Sequence, residues 1–133
     1  MPADLVDFLR ARLDDDEQTA REAAKIDGDQ WSVAGPSSND PDRVEGNTGW
    51  GAVGYDMVEP VVHHVARHDP ARVLREVAAK RAILERYAVS VKEAELSAGG
   101  WADGYDRALE LCVRSVAAVY ADHPAYRAEW AIR

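Results

Sequence analysis

Apolar residues recur at helical spacing in three long segments of this chain, and this periodicity restricts the fold more than any other feature of the sequence. In the first segment, Leu5, Leu9 and Leu13 are spaced four residues apart, which places them on one face of a helix. Charged residues fill the opposite face, as expected of a helix that packs with one side on a core. The same pattern predicts three main helices, over residues 4–25, 70–96 and 101–121.

Capping and turn residues define the ends of these helices. Asp4 can cap the first helix, and Asp69 followed by Pro70 is typical of an N-cap and a first helical residue. The Ser-Ala-Gly-Gly run at 97–100 predicts a helix stop and a turn into the last helix. A shorter apolar piece at 58–68 predicts one or two further helical turns.

Residues 27–57 differ from the rest of the chain, because turn-forming Gly, Pro, Asn, Ser and Asp are dense there. Segments 30–34 and 51–55 have the character of short strands, and a weaker one surrounds Val44. We expect Trp31 and Trp50 to pack this region onto the helices. The predicted fold class is therefore α+β and helix-dominated, with a small antiparallel hairpin or meander inserted between helix 1 and helix 2.

The last helix has the cleanest apolar stripe in the chain. We expect this stripe to face the core: Tyr105, Ala108, Leu109, Cys112, Val113, Val116, Val119 and Tyr120. The length of 133 residues is typical of one domain, and we expect residues 1–133 to form a single one.

The composition favours a soluble protein of a reducing compartment. The net charge is −8, whereas direct nucleic-acid binding relies on a basic surface, so none is expected. Cys112 is the only cysteine, which excludes an internal disulfide and leads us to expect a cytoplasmic location. The chain begins Met-Pro-Ala-Asp and has no long apolar run, so we expect neither a signal peptide nor a membrane span.

Three stretches of the sequence carry a family resemblance. They read Leu-Val-Asp-Phe-Leu-Arg-Ala-Arg-Leu-Asp at 5–14, His-Val-Ala-Arg-His-Asp-Pro-Ala-Arg-Val-Leu-Arg-Glu-Val at 64–77 and Tyr-Ala-Asp-His-Pro-Ala-Tyr-Arg-Ala-Glu-Trp at 120–130. In these stretches the chain resembles a family of small uncharacterised proteins of actinobacteria, such as Streptomyces, and of their phages. The resemblance implies a source and a fold family but no activity, because the family is a domain of unknown function.

The histidines form one candidate site. His64 and His68 are four residues apart, so on a helix both imidazoles lie on one face, as zinc sites use. His123 can supply a third ligand, and the cofactor would then be zinc or another divalent metal. The competing interpretation is structural, with Asp69 as a helix cap and the histidines bonded to carbonyls. On that interpretation, which we favour, no cofactor is expected, and no residue is assigned as catalytic.

Three charged residues interrupt otherwise apolar helix faces. Lys80 and Arg81 do so in the second long helix, and Asp16 does so in the first. A charge that points towards a core must be paired or must reach solvent along its own side chain. We therefore expect a structural polar pair or layer that joins Asp16 or Glu17 to Lys80 or Arg81, and the alternative is an anion-binding notch.

The C-terminal segment 123–131 predicts a turn set by Pro124, whose φ is fixed. Tyr126 and Trp130 are four residues apart, so their rings can face the same side. We favour docking of this tail on the end of the helix hairpin near the turn after Ala66. The alternative is that both rings form part of a partner-binding surface.

None of these patterns is a convincing catalytic constellation. The function is therefore open at this stage. The leading hypothesis is a non-enzymatic protein-interaction or regulatory module, accessory to phages or mobile elements, which binds a protein partner or a second copy of itself. The alternative is a metal-binding domain or metal-dependent hydrolase built on the histidine cluster. A third hypothesis is a small-ligand binder that uses the cleft between the strand region and the helices, although no residue indicates which ligand.

Overall fold

The computed structural model describes residues 2–34, 40–48, 51–96 and 102–133. The described chain forms four α-helices and three short strands: α1 (Pro2–Asp27), β1 (Trp31–Val33), β2 (Val44–Gly46), β3 (Ala52–Gly54), α2 (Glu59–Arg67), α3 (Pro70–Leu96) and α4 (Ala102–Ala117). Two 3-10 turns follow, at Ala118–Tyr120 and Ala128–Trp130. The predicted helix-dominated α+β fold is confirmed, with a small antiparallel sheet between the first two long helices.

Two helix ends differ from the expectation. Helix α1 begins at Pro2, so Asp4 lies in its first turn rather than at the N-cap, where its charge still complements the helix dipole. Helix α4 ends at Ala117 and tightens into a 3-10 turn, so the α-helix does not reach residue 121. Three features named in the sequence analysis lie outside the described residues: the helix stop at 97–100, Trp50 and Trp101. Among the described helices, none is both long and apolar enough to cross a membrane.

The chain divides into two compact units. The first unit comprises Met1–Asp14 and Ala78–Arg133, and the second comprises Asp15–Val77. The core of the first unit consists of apolar side chains from α1, α3 and α4: Leu5, Leu9, Leu13, Leu84, Tyr87, Val113 and Ala117. Burial raises the pKa of the Tyr87 hydroxyl, which keeps this ring in its neutral form inside the core.

The second unit is built around the three-stranded sheet, whose order is β1-β2-β3 with both pairs antiparallel. Trp31 lies opposite Gly46, and Val33 lies opposite Val44. Every residue of the central strand β2 is buried, and α2 packs on β1 and β2. The predicted strand positions, including the weaker one around Val44, are confirmed.

Two glycines allow the end of α1 to approach the sheet closely. Gly28 ends the helix with a φ of +82°, and its N–H donates to the carbonyl of Ala24 at 2.9 Å. A Cβ on Gly46 would lie 1.5 Å from the Asp27 carbonyl oxygen. Because that neighbour is backbone and cannot rotate away, only glycine fits at this position of β2.

Asp69 ties the start of α3 to β1. One carboxylate oxygen accepts the N–H of Arg72 at 2.9 Å, and the other accepts the N–H of Trp31 at 3.2 Å. The carbonyl of Asp29 accepts the N–H of Ala71 at 2.9 Å. The predicted cap of α3 is therefore confirmed, and the same side chain fixes the first strand.

Replacement of Val77 by Asp tests the phase of α3. Val77 is 2% exposed, so the substitution buries an unpaired carboxylate and should cost about 3–5 kcal/mol of unfolding free energy. Val89, on the same helix, is 45% exposed, and Val89→Asp is the matched control, with an expected change within about 0.5 kcal/mol. Urea unfolding followed by circular dichroism measures both, and equal losses would contradict the assigned core face.

Candidate functional site

The histidine pair on α2 adopts the predicted side-by-side arrangement. The rings of His64 and His68 lie 4.3 Å apart, and both residues are exposed. The Nδ1 of His68 lies 2.8 Å from the carbonyl oxygen of His64. A carbonyl can only accept, so Nδ1 donates and Nε2 is the acceptor of the neutral ring. This hydrogen bond is the structural contact that the competing interpretation predicts.

The predicted third ligand, His123, has partners of its own on α1 and in the tail. Arg12 contacts its ring, and its Nδ1 accepts the backbone N–H of Ala125 at 3.1 Å. Phe8 packs edge-on against the same ring, with centroids 5.7 Å apart. Among the residues with described positions, no group of three or more His, Cys, Asp or Glu side chains could hold a metal ion. Metal binding by the histidines stays a prediction.

The charged residues of α3 reach partners near the surface. Arg81 forms an ion pair with Asp14, with 2.6 Å between Nη2 and Oδ1, and both side chains are at least a third exposed. The ammonium group of Lys80 lies over the ring of Tyr120 at 5.9 Å. Asp16 lines a cavity of the second unit with Trp31. The expected pairing of Asp16 with Lys80 or Arg81 stays a prediction.

The C-terminal tail docks on the first turns of α1. Trp130 is 3% exposed, and its ring lies 4.9 Å from that of Phe8. Tyr126 contacts both rings edge-on, at 5.7 Å and 6.1 Å between centroids. The favoured prediction of docking is confirmed, whereas the docking surface is the N-terminal half of α1 instead of the turn after Ala66.

Arg127 fixes the docked tail to α1 by charge. Its guanidinium lies 2.8 Å from the carboxylate of Asp4 and stacks over the Trp130 ring at 5.5 Å. Arg114 of α4 donates to the carbonyl of Glu129 at 3.2 Å. The tail is therefore part of the first unit, and Trp130 is buried rather than displayed to a partner.

The largest departure from the sequence-based expectation is the orientation of α4. Nine residues are exposed along one side of this helix and the turn that follows it, and we call them the outer face: Gly104, Tyr105, Arg107, Ala108, Leu111, Cys112, Ser115, Ala118 and Val119. The prediction that Tyr105, Ala108, Cys112 and Val119 face the core is wrong. Leu109, Val113, Val116 and Tyr120, from the same stripe, are buried or half-buried.

The outer face is apolar in a chain that is rich in charge. Tyr105 is 43% exposed, Leu111 is 53% exposed and Val119 is 62% exposed. Arg107 is the only charged residue of the nine, although 30% of the whole sequence is charged. Apolar side chains therefore cover both sides of α4, which is why hydrophobic periodicity assigned part of the outer face to the core.

Polar contacts hold the rim of the outer face in place. Arg86 of α3 donates from Nε to the hydroxyl of Tyr105 at 2.8 Å, and this hydrogen bond raises the pKa of the guanidinium. On the other side of α4, Arg114 pairs with Glu110 at 2.5 Å. These charges lie beside the outer face and leave its centre uncharged. No motif in the sequence indicated this surface.

Comparison with known protein families identifies one that matches this chain. The model of a family described as "Family of unknown function (DUF6221)" matches residues 2–132, which is almost the whole chain. The chain belongs to DUF6221. No curated protein and no solved structure matches this DUF6221 chain. The resemblance to a family of unknown function is thus confirmed at the level of the family.

The second unit contains an ion pair that the sequence analysis did not single out. Glu45 is 3% exposed, and its carboxylate lies 3.0 Å from Nε of Arg43. The guanidinium of Arg43 also lies over the ring of Tyr55 at 4.9 Å. Residues 43 and 45 are two apart at the start of a strand, so their side chains lie on one face of the sheet. This spacing of opposite charges is the sequence signal that could have indicated the pair.

Replacement of Trp130 by Ala tests the docked tail. Loss of a buried indole should lower the unfolding free energy of this DUF6221 chain by about 3–5 kcal/mol. Ile132→Ala is the matched control, because Ile132 is 49% exposed in the same tail. Thermal melts of both variants measure the difference. A Trp130→Ala melt that coincides with the wild type would contradict docking.

Proposed function

We propose that this DUF6221 protein is a non-enzymatic interaction module that pairs with a second copy of itself through the outer face of α4. The observation that carries the proposal is the exposure of large apolar side chains on that face. Contiguous exposed apolar surface on a protein of this size is typical of an interaction site. If the face instead binds a different protein, the isolated chain should stay monomeric at every concentration.

The spacing of the outer face supports a helix–helix contact. Positions 105, 108, 112, 115 and 119 alternate steps of three and four residues, which is the repeat of a coiled-coil seam. Three of these residues are small: Ala108, Cys112 and Ser115. Small side chains along a seam allow two helix backbones to approach closely, and Tyr105 and Val119 would cover the two ends of the contact.

Electrostatics favours this face for contact between identical copies. Each copy carries a net charge of −8, so two copies repel one another wherever their carboxylates meet. No residue of the outer face is acidic. In an antiparallel pair centred between Cys112 and Ser115, Arg107 would lie beside the end of α4 in the second copy. The exposed carboxylate of Asp122 lies at that end, so the only cation of the face meets an anion.

The expected dimer is weak and reversible. Helix α4 has 16 residues, which corresponds to a length of about 24 Å. A single helix pair of this length buries less than the roughly 800 Å² per partner of a standard interface. Association should therefore depend strongly on protein concentration, as suits a regulatory module.

We also propose a source and a cellular location for the protein. We assign it to actinobacteria or their phages, as an accessory of phages or mobile elements, and to the cytoplasm. The first assignment is supported by the three stretches at 5–14, 64–77 and 120–130. The second is supported by Cys112, an exposed free thiol that suits a reducing compartment.

Metal binding is the second candidate function. The observation in its favour is the 4.3 Å separation of the His64 and His68 rings. Against it, His123 contacts Arg12 and Phe8 instead of the other two histidines. Self-association is therefore the function that the geometry supports best.

Replacement of Ala108 by Glu tests the proposed pairing. The substitution adds one carboxylate per copy at the centre of the seam, where two like charges would meet at low dielectric. Ala79→Glu on α3, which is also exposed, is the matched control and adds the same charge elsewhere. Sedimentation over a concentration series should show a monomer–dimer equilibrium for the wild type and Ala79→Glu, and only monomer for Ala108→Glu. A wild type that is monomeric at every concentration would contradict pairing with a second copy.

A further inference from the structure

The end of α2 carries two histidines whose rings lie side by side. The centroids of the His64 and His68 rings are 4.3 Å apart, and the ring planes are tilted by 36°. Two nitrogens bound to one metal ion lie at most about 4 Å apart, because each bond is about 2.0–2.1 Å long. The ring separation therefore suits two imidazoles that hold one ion between them. Both residues are exposed, so an ion can reach them from solvent.

The ring of His68 is already oriented as a metal ligand. Its Nδ1–H donates to the carbonyl of His64 at 2.8 Å. This bond fixes the tautomer and leaves the lone pair of the neutral ring on Nε2. Histidines that bind metals almost always donate their other ring N–H in this way, to a carbonyl or a carboxylate. The hydrogen bond that serves a structural histidine thus also prepares Nε2 for a metal ion.

The position of the pair on its helix favours a cation. His64 lies in the last turn of α2, and His68 is the C-cap residue. The carbonyls at that end carry partial negative charge, which stabilises a positive ion. Arg67 is exposed there, and its long side chain can hold its own charge in solvent. The net charge of −8 on the whole chain also attracts cations.

The described residues supply two ligands to such an ion and leave the rest of its coordination sphere open. Among them, no group of three or more His, Cys, Asp or Glu side chains could hold a metal. Asp69 follows the pair in sequence, but its two carboxylate oxygens accept the backbone N–H groups of Arg72 and Trp31. His123 contacts Arg12 of α1. The open positions are therefore available to water or to a donor atom of another molecule.

Imidazole nitrogen also selects the kind of ion. Zn²⁺, Ni²⁺ and Cu²⁺ bind imidazole well, whereas Mg²⁺ and Ca²⁺ prefer oxygen ligands. For a given set of nitrogen ligands, Cu²⁺ binds more tightly than either Ni²⁺ or Zn²⁺. A pair of histidines without a carboxylate should therefore bind these transition-metal ions and not Mg²⁺.

We propose that His64 and His68 form a two-histidine site for a divalent transition-metal ion. The ligands are Nε2 of His68 and one ring nitrogen of His64. This site rests on metal binding, the second candidate function, and narrows it, because His123 takes no part. It is independent of the outer face of α4 and is not required for pairing.

A titration with Zn²⁺, followed by NMR of the histidine ring nitrogens, tests the site. Zn²⁺ should shift Nε2 of His68 and one ring nitrogen of His64 in a saturable manner, and Mg²⁺ should shift neither. Resonances of single rings separate this site from the exposed thiol of Cys112. Absence of these shifts with Zn²⁺ would overturn the proposal and metal binding with it. An equal, saturable shift of the His123 ring would overturn the two-histidine site and support the site of three histidines instead.

Replacement of His64 by Gln tests the ligand assignment. Zn²⁺ binding should weaken at least about tenfold, since the loss of an outer-shell partner of a metal ligand alone costs about 10–100-fold in affinity. His63→Gln is the matched control, because His63 is also an exposed histidine of α2, and its affinity should be unchanged. Equal losses in both variants would overturn the assignment. The titration of the wild-type protein decides the proposal if His64→Gln fails to fold.

The variant Ala108→Glu separates this site from self-association. It should bind Zn²⁺ with the affinity of the wild type, although it should not pair. A failure of pairing in sedimentation and a failure of metal binding in the titration are therefore distinct results. A large loss of Zn²⁺ affinity in Ala108→Glu would overturn the independence of the two sites.

Discussion

The buried leucine stripe of α1 organises the core of the first unit. Leu9 and Leu13 are completely buried, and the burial of each leucine side chain contributes roughly 1.5–3 kcal/mol. Phe8 lies beside this stripe and forms the surface on which Trp130 docks. Further along the same helix, Ala20 and Ala23 form the floor of the cavity in the second unit. Successive turns of this helix thus contribute to the core, to the surface on which the tail docks and to this cavity.

The outer face of α4 and the cavity beside Trp31 differ in the side chains that line them. The outer face of α4 combines exposed Tyr105, Leu111 and Val119 with small side chains, so it suits a second helix rather than a small molecule. The cavity beside Trp31 lies in the second unit, where Asp16, Trp31 and His68 line it together with small side chains of α1. Each lies within one compact unit of the chain.

Local patterns in the sequence predicted the elements well and the sites poorly. The leucine stripe of α1, the Asp69 cap and the strand around Val44 depend on neighbours in sequence, so they could be predicted. The solvent-facing side of α4 could not, because apolar residues lie on both sides and the apolar stripe is therefore wider than the buried face. A cleft between the strand region and the helices could be predicted, but its lining residues could not. Asp16, Trp31 and His68 come from three separate elements, and only the folded chain brings them together.

Pairing of two copies through α4 can be measured directly by crosslinking at Cys112. It is the only cysteine of the chain, it is exposed, and it lies near the centre of the proposed seam. A short bismaleimide should join two wild-type copies into a covalent dimer in good yield. The control is the double variant Cys112→Ser, Ser32→Cys, in which the single cysteine lies at exposed position 32. The reagent should not join two copies of this variant. Equal crosslinking of both proteins, or no dimer with the wild type at concentrations where it associates, would contradict pairing through this face.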